Sequence, residues 1–200
     1  MTPPIVLAIT GASGAPYAVR LLHLLLAADR PVSLIISSHG FRLLQTEMDI
    51  GSSAELRSAV GAPAWDANVT VFDDADRGAS PASGSAASAG MVICPCSMGT
   101  IAAIAAGTSR SLIERAADVT LKERRTLVLV PRETPLSVIH LQNMLRLSRA
   151  GALMLPAAPG FYHRPTTVAA LVDFVVARIL DHLGVPQTVV PRWSAGHGTA

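Results

Sequence analysis

Short apolar runs rich in β-branched residues alternate along this chain with longer amphipathic stretches. The apolar runs predict buried strands over residues 5–10, 32–37, 69–72, 91–94, 127–130 and 153–155. The stretches between them predict helices over residues 15–28, 39–47, 97–106, 111–123, 137–149 and 167–183. Ser97, Ser111, Ser137 and Thr167 stand at helix starts, where their side-chain oxygens can cap the first turn.

This alternation of strands and helices predicts one architecture. It indicates an α/β fold with a doubly wound parallel sheet, a Rossmann- or flavodoxin-like three-layer sandwich. A chain of 200 residues is long enough for one sizeable core, so we expect a single domain over residues 1–200, with residues 186–200 as a C-terminal arm. Ligands of such sheets bind beyond the carboxyl ends of the strands.

The composition adds an expectation about assembly. Half of the residues are apolar and only 15% are charged. The longest apolar candidate, residues 168–183, carries Asp173, Arg178 and Asp181, so no membrane span is predicted. We expect the apolar surplus to lie in buried strands and between subunits of a homo-oligomer. The start of the chain resembles no signal peptide, which predicts a cytoplasmic location.

Charge and cysteine content exclude other classes. A net charge of +2 with dispersed arginines does not favour nucleic-acid binding. Cys94 and Cys96 are too close along a strand for an unstrained disulfide and too few for a structural zinc site, so we interpret them as small buried apolar residues.

Residues 78–90, rich in Gly, Ser and Ala, resemble a flexible linker, but they join two core strands and are predicted to form an ordered loop over the site.

Two loops with glycine and hydroxyl residues follow predicted strands. In residues 9–16, ITGASGAP, glycines allow close approach of a ligand, and Ser13 adds a hydroxyl beside a helix N-terminus. In residues 94–100, CPCSMGT, Ser97 and Thr100 likewise add hydroxyls beside a helix N-terminus. Either loop alone also fits an ordinary connection, but together with Ser37 they predict a nucleotide-sized crevice with a phosphate cradle.

Two further groups carry candidate chemistry. Arg132 and Glu133 lie between two prolines at the end of a predicted strand, where Arg can hold a phosphate or a flavin carbonyl and Glu can move a proton. Tyr162, in the loop after the last strand, and Arg178, in the last helix, suit a phosphate monoester, and an aromatic ring suits a carbocation.

Long segments of the sequence match a known family. They are TGASGAPYAVRLL, PASGS, VICPCSMGT, LIERAADVTLKERRTLVLVPRETPLSVIHLQNMLRLS, LPAAPGFYHRP and LVDFVVARIL. In these segments, and over nearly its whole length, the chain resembles the UbiX-type flavin prenyltransferases of the flavin-binding decarboxylase-like superfamily. The segment at residues 48–68 matches that family poorly.

The resemblance implies a role for particular residues. It implies FMN binding by Gly11, Ala12, Ser13, Ser37, Ser97, Met98, Gly99, Thr100 and Arg132, with the contact of Met98 made through its backbone. It implies binding of dimethylallyl phosphate by Tyr162, Arg178, Lys122 and Arg115, with Trp193 of the C-terminal arm near the prenyl group. Glu133, Ser13 and Lys122 are the implied catalytic residues.

The resemblance also implies a reaction and partners. A dimethylallyl group is joined to N5 of reduced FMN as phosphate leaves, and a ring then closes onto C6, without a metal. The expected assembly is a homododecamer with sites shared between subunits. The product, prenylated FMN, would serve a UbiD-type decarboxylase.

Three other functions compete with this hypothesis. An FMN-dependent cysteine decarboxylase would need a histidine before the fourth strand, and no histidine lies between His39 and His140. A non-catalytic flavin carrier would need the loops but not Glu133. A magnesium-dependent prenyltransferase would use an acidic motif such as residues 73–76, but this one follows a predicted strand and is typical of a solvated turn.

Overall fold

A computed structural model describes residues 2–190 as one parallel sheet between two layers of helices. The strand order is β3-β2-β1-β4-β5-β6, and all neighbouring strands are parallel. This is the strand order of the doubly wound Rossmann fold. The strands are β1 (Ile5–Ile9), β2 (Val32–Ile36), β3 (Val69–Asp73), β4 (Gly90–Cys96), β5 (Leu127–Pro131) and β6 (Leu153–Met154).

Helices cover both faces of the sheet, as the alternation predicted. They are α1 (Ala15–Ala27), α2 (Ser38–Met48), α3 (Ser53–Val60), α4 (Ala62–Asn68), α5 (Met98–Ala106), α6 (Leu112–Lys122), α7 (Val138–Arg149) and α8 (Val168–His182). Ile5, Leu7 and Ile9 of β1 share one core with α1 and α8, whereas Val6 and Ala8 share the other with α5 and α6. The predicted α/β three-layer fold is therefore confirmed.

The helix starts follow the local capping rules. The side chains of Ser97, Ser111, Ser137 and Thr167 each accept a hydrogen bond from the amide three residues ahead. The sequence analysis assigned no element to residues 48–68, where the structure has two short helices, α3 and α4. Ser52 caps α3 in the same way.

Residues 78–90 form an ordered connection, but they do not cover the carboxyl edge of the sheet. They include a short 3-10 helix, Ser80–Ala82, that packs on α6. The guanidinium of Arg125, just before β5, donates to the carbonyl oxygens of Gly84 at 2.6 Å and Ala86 at 2.9 Å. The prediction of a loop over the site is therefore wrong for the crevice of the same chain. The reason is that a parallel connection must return to the amino edge before β4 begins.

Among the described residues, no helix is both long and apolar enough to span a membrane. The arm predicted over residues 186–200 is described only as far as Val190, so Trp193 lies outside the described residues.

Candidate functional site

The candidate site lies at the carboxyl edge of the sheet, where β1 and β4 are neighbours. The chain leaves β1 for one face of the sheet and β4 for the other, which opens a crevice at this switch point. A cavity of about 270 Å³ lies there. It is lined by Thr10, Gly11, Ser37, Ser38, His39, Asp74, Ser97, Thr100, Ser111, Ile113 and Glu114.

Thr10 joins the two strands at the switch point. Its side chain is buried, and its Oγ1 donates to the carbonyl oxygen of Pro95 at 3.0 Å and accepts from the amide of Ser97 at 2.8 Å. Its amide donates to the same Pro95 oxygen at 3.2 Å. The ends of β1 and β4 are thus held in fixed register by one threonine, which the sequence analysis did not single out.

The first turn of α2 lies directly against the β1–α1 loop. A Cβ atom at Gly11 would lie 2.5 Å from Cβ of His39, and one at Gly40 would lie 2.5 Å from the carbonyl oxygen of Ile9. Glycine is required at both positions by this close approach. Ser37 caps α2 by accepting from the amide of Gly40 at 3.0 Å. The N-terminus of α2 therefore opens into the crevice beside Gly11.

The Ser97 loop supplies a second helix N-terminus. Ser97 Oγ accepts from the amide of Thr100 at 3.2 Å and lies 2.9 Å from the Thr100 hydroxyl. The side chain of Met98 is buried. A Cβ atom at Gly99 would make ordinary van der Waals contact with Ser97 Oγ at 3.8 Å.

The N-terminus of α1 already holds an anion from the protein. Glu47 Oε2, on α2, accepts from the amides of Gly14 at 2.9 Å and Ala15 at 2.8 Å. Partial burial raises the pKa of Glu47, but hydrogen bonds from Gly14, Ser13 and Ala15 and the charge of Arg132 outweigh this effect and lower it. The sequence analysis missed Glu47 because nothing in the local sequence distinguishes it from a surface glutamate.

Ser13, Glu47 and Arg132 form one cluster at the edge of the crevice. The guanidinium Nε of Arg132 donates to the carbonyl oxygen of Ser13 at 3.1 Å, and Ser13 hydrogen-bonds to Glu47. Glu133, the next residue, is exposed, and its carboxylate accepts from the amide of Thr134 at 3.1 Å. The end of β5 thus brings the Arg132 cation to the β1–α1 loop and leaves the Glu133 carboxylate exposed next to it in the chain.

Tyr162 and Arg178 line a separate cavity of about 690 Å³, beside α8. The ring of Tyr162 packs edge-on against Phe174 at 5.7 Å, and Phe174 stacks on His163 at 5.5 Å. Arg178 is about half exposed and pairs with Asp181 at 3.0 Å. The structure therefore brings together these two predicted phosphate ligands, apart from the crevice.

Within a single chain, neither Lys122 nor Arg115 lines the crevice or the Tyr162–Arg178 cavity. Arg115 lies in the first half of α6 and pairs with Asp118 at 2.8 Å. Lys122 ends α6 and pairs with Glu123 at 2.6 Å. Because β5 begins just after this helix, Lys122 lies at the amino edge of the sheet, the length of a strand from Glu133.

The two cysteines and the acidic turn at residues 73–76 have structural roles. Burial raises the thiol pKa of Cys94 and Cys96 well above the ordinary range, which keeps both uncharged. In the acidic turn, Asp74 accepts from the amide of Ile113 at 2.9 Å and so closes the N-terminus of α6. Within residues 2–190, no cluster of potential metal ligands is found.

A Rossmann sheet whose switch-point crevice is lined by hydroxyls and helix amides defines a mononucleotide-binding α/β protein. The glycine and hydroxyl lining of the crevice, together with the helix N-termini, fits the phosphate of FMN.

Comparison with known proteins narrows the class. A family model described as Flavoprotein matches residues 2–180. Flavin prenyltransferase UbiX of Pseudomonas aeruginosa is 54% identical over 200 residues, which cover 96% of this chain and 95% of that protein.

Two solved structures agree in fold over nearly the whole chain. AnUbiX (PadA1), in complex with FMN and dimethylallyl pyrophosphate, has a TM-score of 0.90 and 38% identity, covering 98% of this chain and 99% of its own. A dodecameric FMN-dependent UbiX-like decarboxylase from Escherichia coli O157:H7 has a TM-score of 0.88 and 41% identity, covering 96% and 100%. This chain belongs to the UbiX-type flavin prenyltransferases, within the flavoprotein family, which confirms the resemblance noted in its sequence.

Proposed function

We propose that this protein transfers a dimethylallyl group from dimethylallyl phosphate to N5 and C6 of reduced FMN, giving prenylated FMN. The observation that carries the proposal is the cluster of Ser13, Glu47 and Arg132 at the edge of a phosphate-binding crevice, next to Glu133. Such a cluster orders the end of β5 beside the crevice, where Glu133 can move a proton, and a carrier of flavin needs no proton-transfer group. The 54% identity to a flavin prenyltransferase supports the same conclusion.

The FMN phosphate is assigned to the N-termini of α2 and α5. The N-terminus of α1 is closed to a second anion, because the carboxylate of Glu47 already accepts from Gly14 and Ala15. Ser37 and the Ser97–Thr100 turn remain open to the crevice and present hydroxyls and amides. The remaining proposed flavin contacts are Gly11, Ala12, Ser13, Met98, Gly99 and Arg132.

The prenyl donor is assigned to the Tyr162–Arg178 cavity. A monophosphate can be neutralised there by arginine and lysine side chains, so the proposed reaction needs no metal. Aromatic surfaces stabilise an allylic cation as the phosphate departs. The reduced flavin supplies the nucleophile when bound. Glu133 is the proposed group that passes a proton toward the leaving phosphate, with Ser13 as its companion.

A complete site requires more than one subunit. Glu133 lies beyond the carboxyl end of β5 and Lys122 before its amino end, and the five residues of β5 span roughly 15 Å. The proposal therefore takes Lys122, with Arg115 of the same helix, from a neighbouring copy. The exposed face of α7 offers a contact surface, since Val138 and Ile139 are 68% and 67% exposed. A homododecamer is proposed because the E. coli neighbour is dodecameric.

Partners and location complete the proposal. The product is expected to pass to a UbiD-type decarboxylase, in the cytoplasm, and the monophosphate rather than the diphosphate is the proposed donor. Trp193 is proposed to lie near the prenyl group.

The deciding experiment is the mass of the flavin released after anaerobic incubation with reduced FMN and dimethylallyl phosphate. A gain of one five-carbon unit is expected. Unchanged FMN with intact binding would instead support a flavin carrier. Loss of carbon dioxide from a peptidyl cysteine would support a cysteine decarboxylase.

A further inference from the structure

The crevice assigned to the FMN phosphate contains one unassigned group that can carry a positive charge. Of the described residues that line it, Asp74 and Glu114 are acidic, His39 is the one side chain able to become cationic, and the others are uncharged. Arg132 approaches the Ser13 loop and is not among the lining residues. A doubly charged phosphate in this crevice therefore faces two carboxylates and lacks a permanent cation.

The two carboxylates are hydrogen-bonded to the wall of the crevice that the start of α6 forms, opposite α2. Asp74 Oδ1 accepts from the amide of Ile113 at 2.9 Å, and Glu114 accepts from Arg110 and Thr108. These bonds tie both acids to the start of α6, but their charge still faces the crevice. Among the described residues that line the crevice in one chain, the side chain able to face the phosphate with a positive charge lies on the α2 side.

His39 occupies that side. It is the second residue of α2, beside the Ser37 cap, and its Cβ lies where a side chain on Gly11 would have to go. Its imidazole therefore lies next to the Gly11 loop and the free amides of the first helical turn. Arg42, an exposed residue on the same helix, lies one turn further along and does not line the crevice.

We propose that His39 is a phosphate-binding residue for FMN. The inference rests on the proposed function, because it assigns the phosphate of FMN to this crevice. An imidazole N–H donates a hydrogen bond to a phosphate oxygen, and histidine is the lining side chain of this crevice that can do so from the α2 side.

The test compares ligands and variants. Dissociation constants for FMN and riboflavin, which lacks the phosphate, are measured at one pH and at constant low ionic strength. The preference of the unmodified protein for FMN over riboflavin is expected to exceed that of His39→Ala by about fivefold. His39→Lys, which keeps an N–H donor and adds a charge, should keep that preference.

A matched control is available on α1. His23 is also exposed, but it lines a different cavity beside α8, so His23→Ala should behave as the unmodified protein. The same preference for FMN over riboflavin in the unmodified protein and in His39→Ala would overturn the role of His39 while leaving FMN binding intact. Equal affinity of the unmodified protein for FMN and riboflavin, or no binding of FMN, would overturn the phosphate assignment itself and the inference with it.

Discussion

The carboxylate of Glu47 lies 2.9 Å from the amide nitrogen of Gly14 and closes the N-terminus of α1. A glycine-rich loop at the start of the first helix would ordinarily be assigned to the ligand phosphate. In this protein a glutamate from the next helix fills that position, and Ser13 and Arg132 join it. The loop thereby becomes part of a hydrogen-bonded, charged cluster of Ser13, Glu47 and Arg132.

The Glu47 cap predicts a pH-dependent contribution to stability. Replacing Glu47 by Ala should lower the free energy of unfolding by about 1 kcal/mol at neutral pH, the usual cost of losing a cap. Since the pKa of Glu47 is lowered in the folded state, its contribution is complete above the ordinary glutamate range, near about 4.3, and disappears as the pH falls through the lower folded value.

Thermal midpoints of the unmodified protein and Glu47→Ala, at one protein concentration from pH 3 to pH 7, measure this effect. The difference should shrink toward acid pH. Glu47→Gln, which keeps an acceptor oxygen but no charge, should have a midpoint between the other two at neutral pH and should differ from Glu47→Ala by a nearly constant amount at every pH. A Glu47→Ala difference that does not change with pH would contradict the prediction.

Thr10 is expected to be the most sensitive structural residue of the site. Thr10→Val removes a buried hydroxyl and leaves the Ser97 amide without its partner, which should cost roughly 1–3 kcal/mol of stability. It should also weaken FMN binding, because the Ser97 loop is no longer tied to β1. Thr10→Ser keeps the oxygen and serves as the control in chemical denaturation and flavin titration. Equal losses in the two variants would mean that the methyl group, not the hydroxyl, matters.

Removal of the Glu133 carboxylate should slow the prenylation reaction and leave the affinity for flavin unchanged. Glu133→Gln is expected to slow prenylation by about 100-fold, as loss of a proton-transfer group does. Its FMN affinity should be unchanged, since the side chain is exposed and bonds only to the amide of Thr134 among the described contacts. Single-turnover rates with reduced FMN and dimethylallyl phosphate give the comparison. Normal turnover would exclude Glu133 from proton transfer.

Substitutions in the Tyr162–Arg178 cavity should weaken binding of the prenyl phosphate and leave flavin binding unchanged. Arg178→Ala removes a charged ligand and should raise KM for dimethylallyl phosphate about tenfold or more, and Tyr162→Phe should raise it less. Stability should hardly change, because the Arg178–Asp181 pair is largely exposed. Steady-state kinetics and flavin titration together separate the two sites. Loss of FMN in either variant would mean that the two cavities are misassigned.

Mixing two inactive variants tests whether the site is shared. If Lys122 and Glu133 of one site come from different copies, oligomers assembled from Lys122→Ala and Glu133→Gln chains contain some sites with both native residues. Random assembly of equal amounts should restore roughly a quarter of the native activity. Each variant refolded alone is the control. No recovery in verified mixed oligomers would place both residues on one chain in each site.

The sequence determined the six strands, six of the eight α-helices of the described residues and most of their boundaries, but not α3 and α4. Caps such as Ser97 and Thr167 act on amides three residues away, so local sequence is sufficient to place the helix starts. The order of strands and helices likewise placed Gly11, Ser37 and Ser97 at the same edge of one sheet.

Only the tertiary structure decided which distant side chains meet there. Glu47 and Gly14 are separated by 33 positions, and His39 reaches Gly11 through the packing of α2 on β1. It also placed residues 78–90 at the opposite edge from the prediction and separated Lys122 from Glu133. These contacts depend on the path of the chain through space, whereas periodicity and capping report only on neighbours in the sequence.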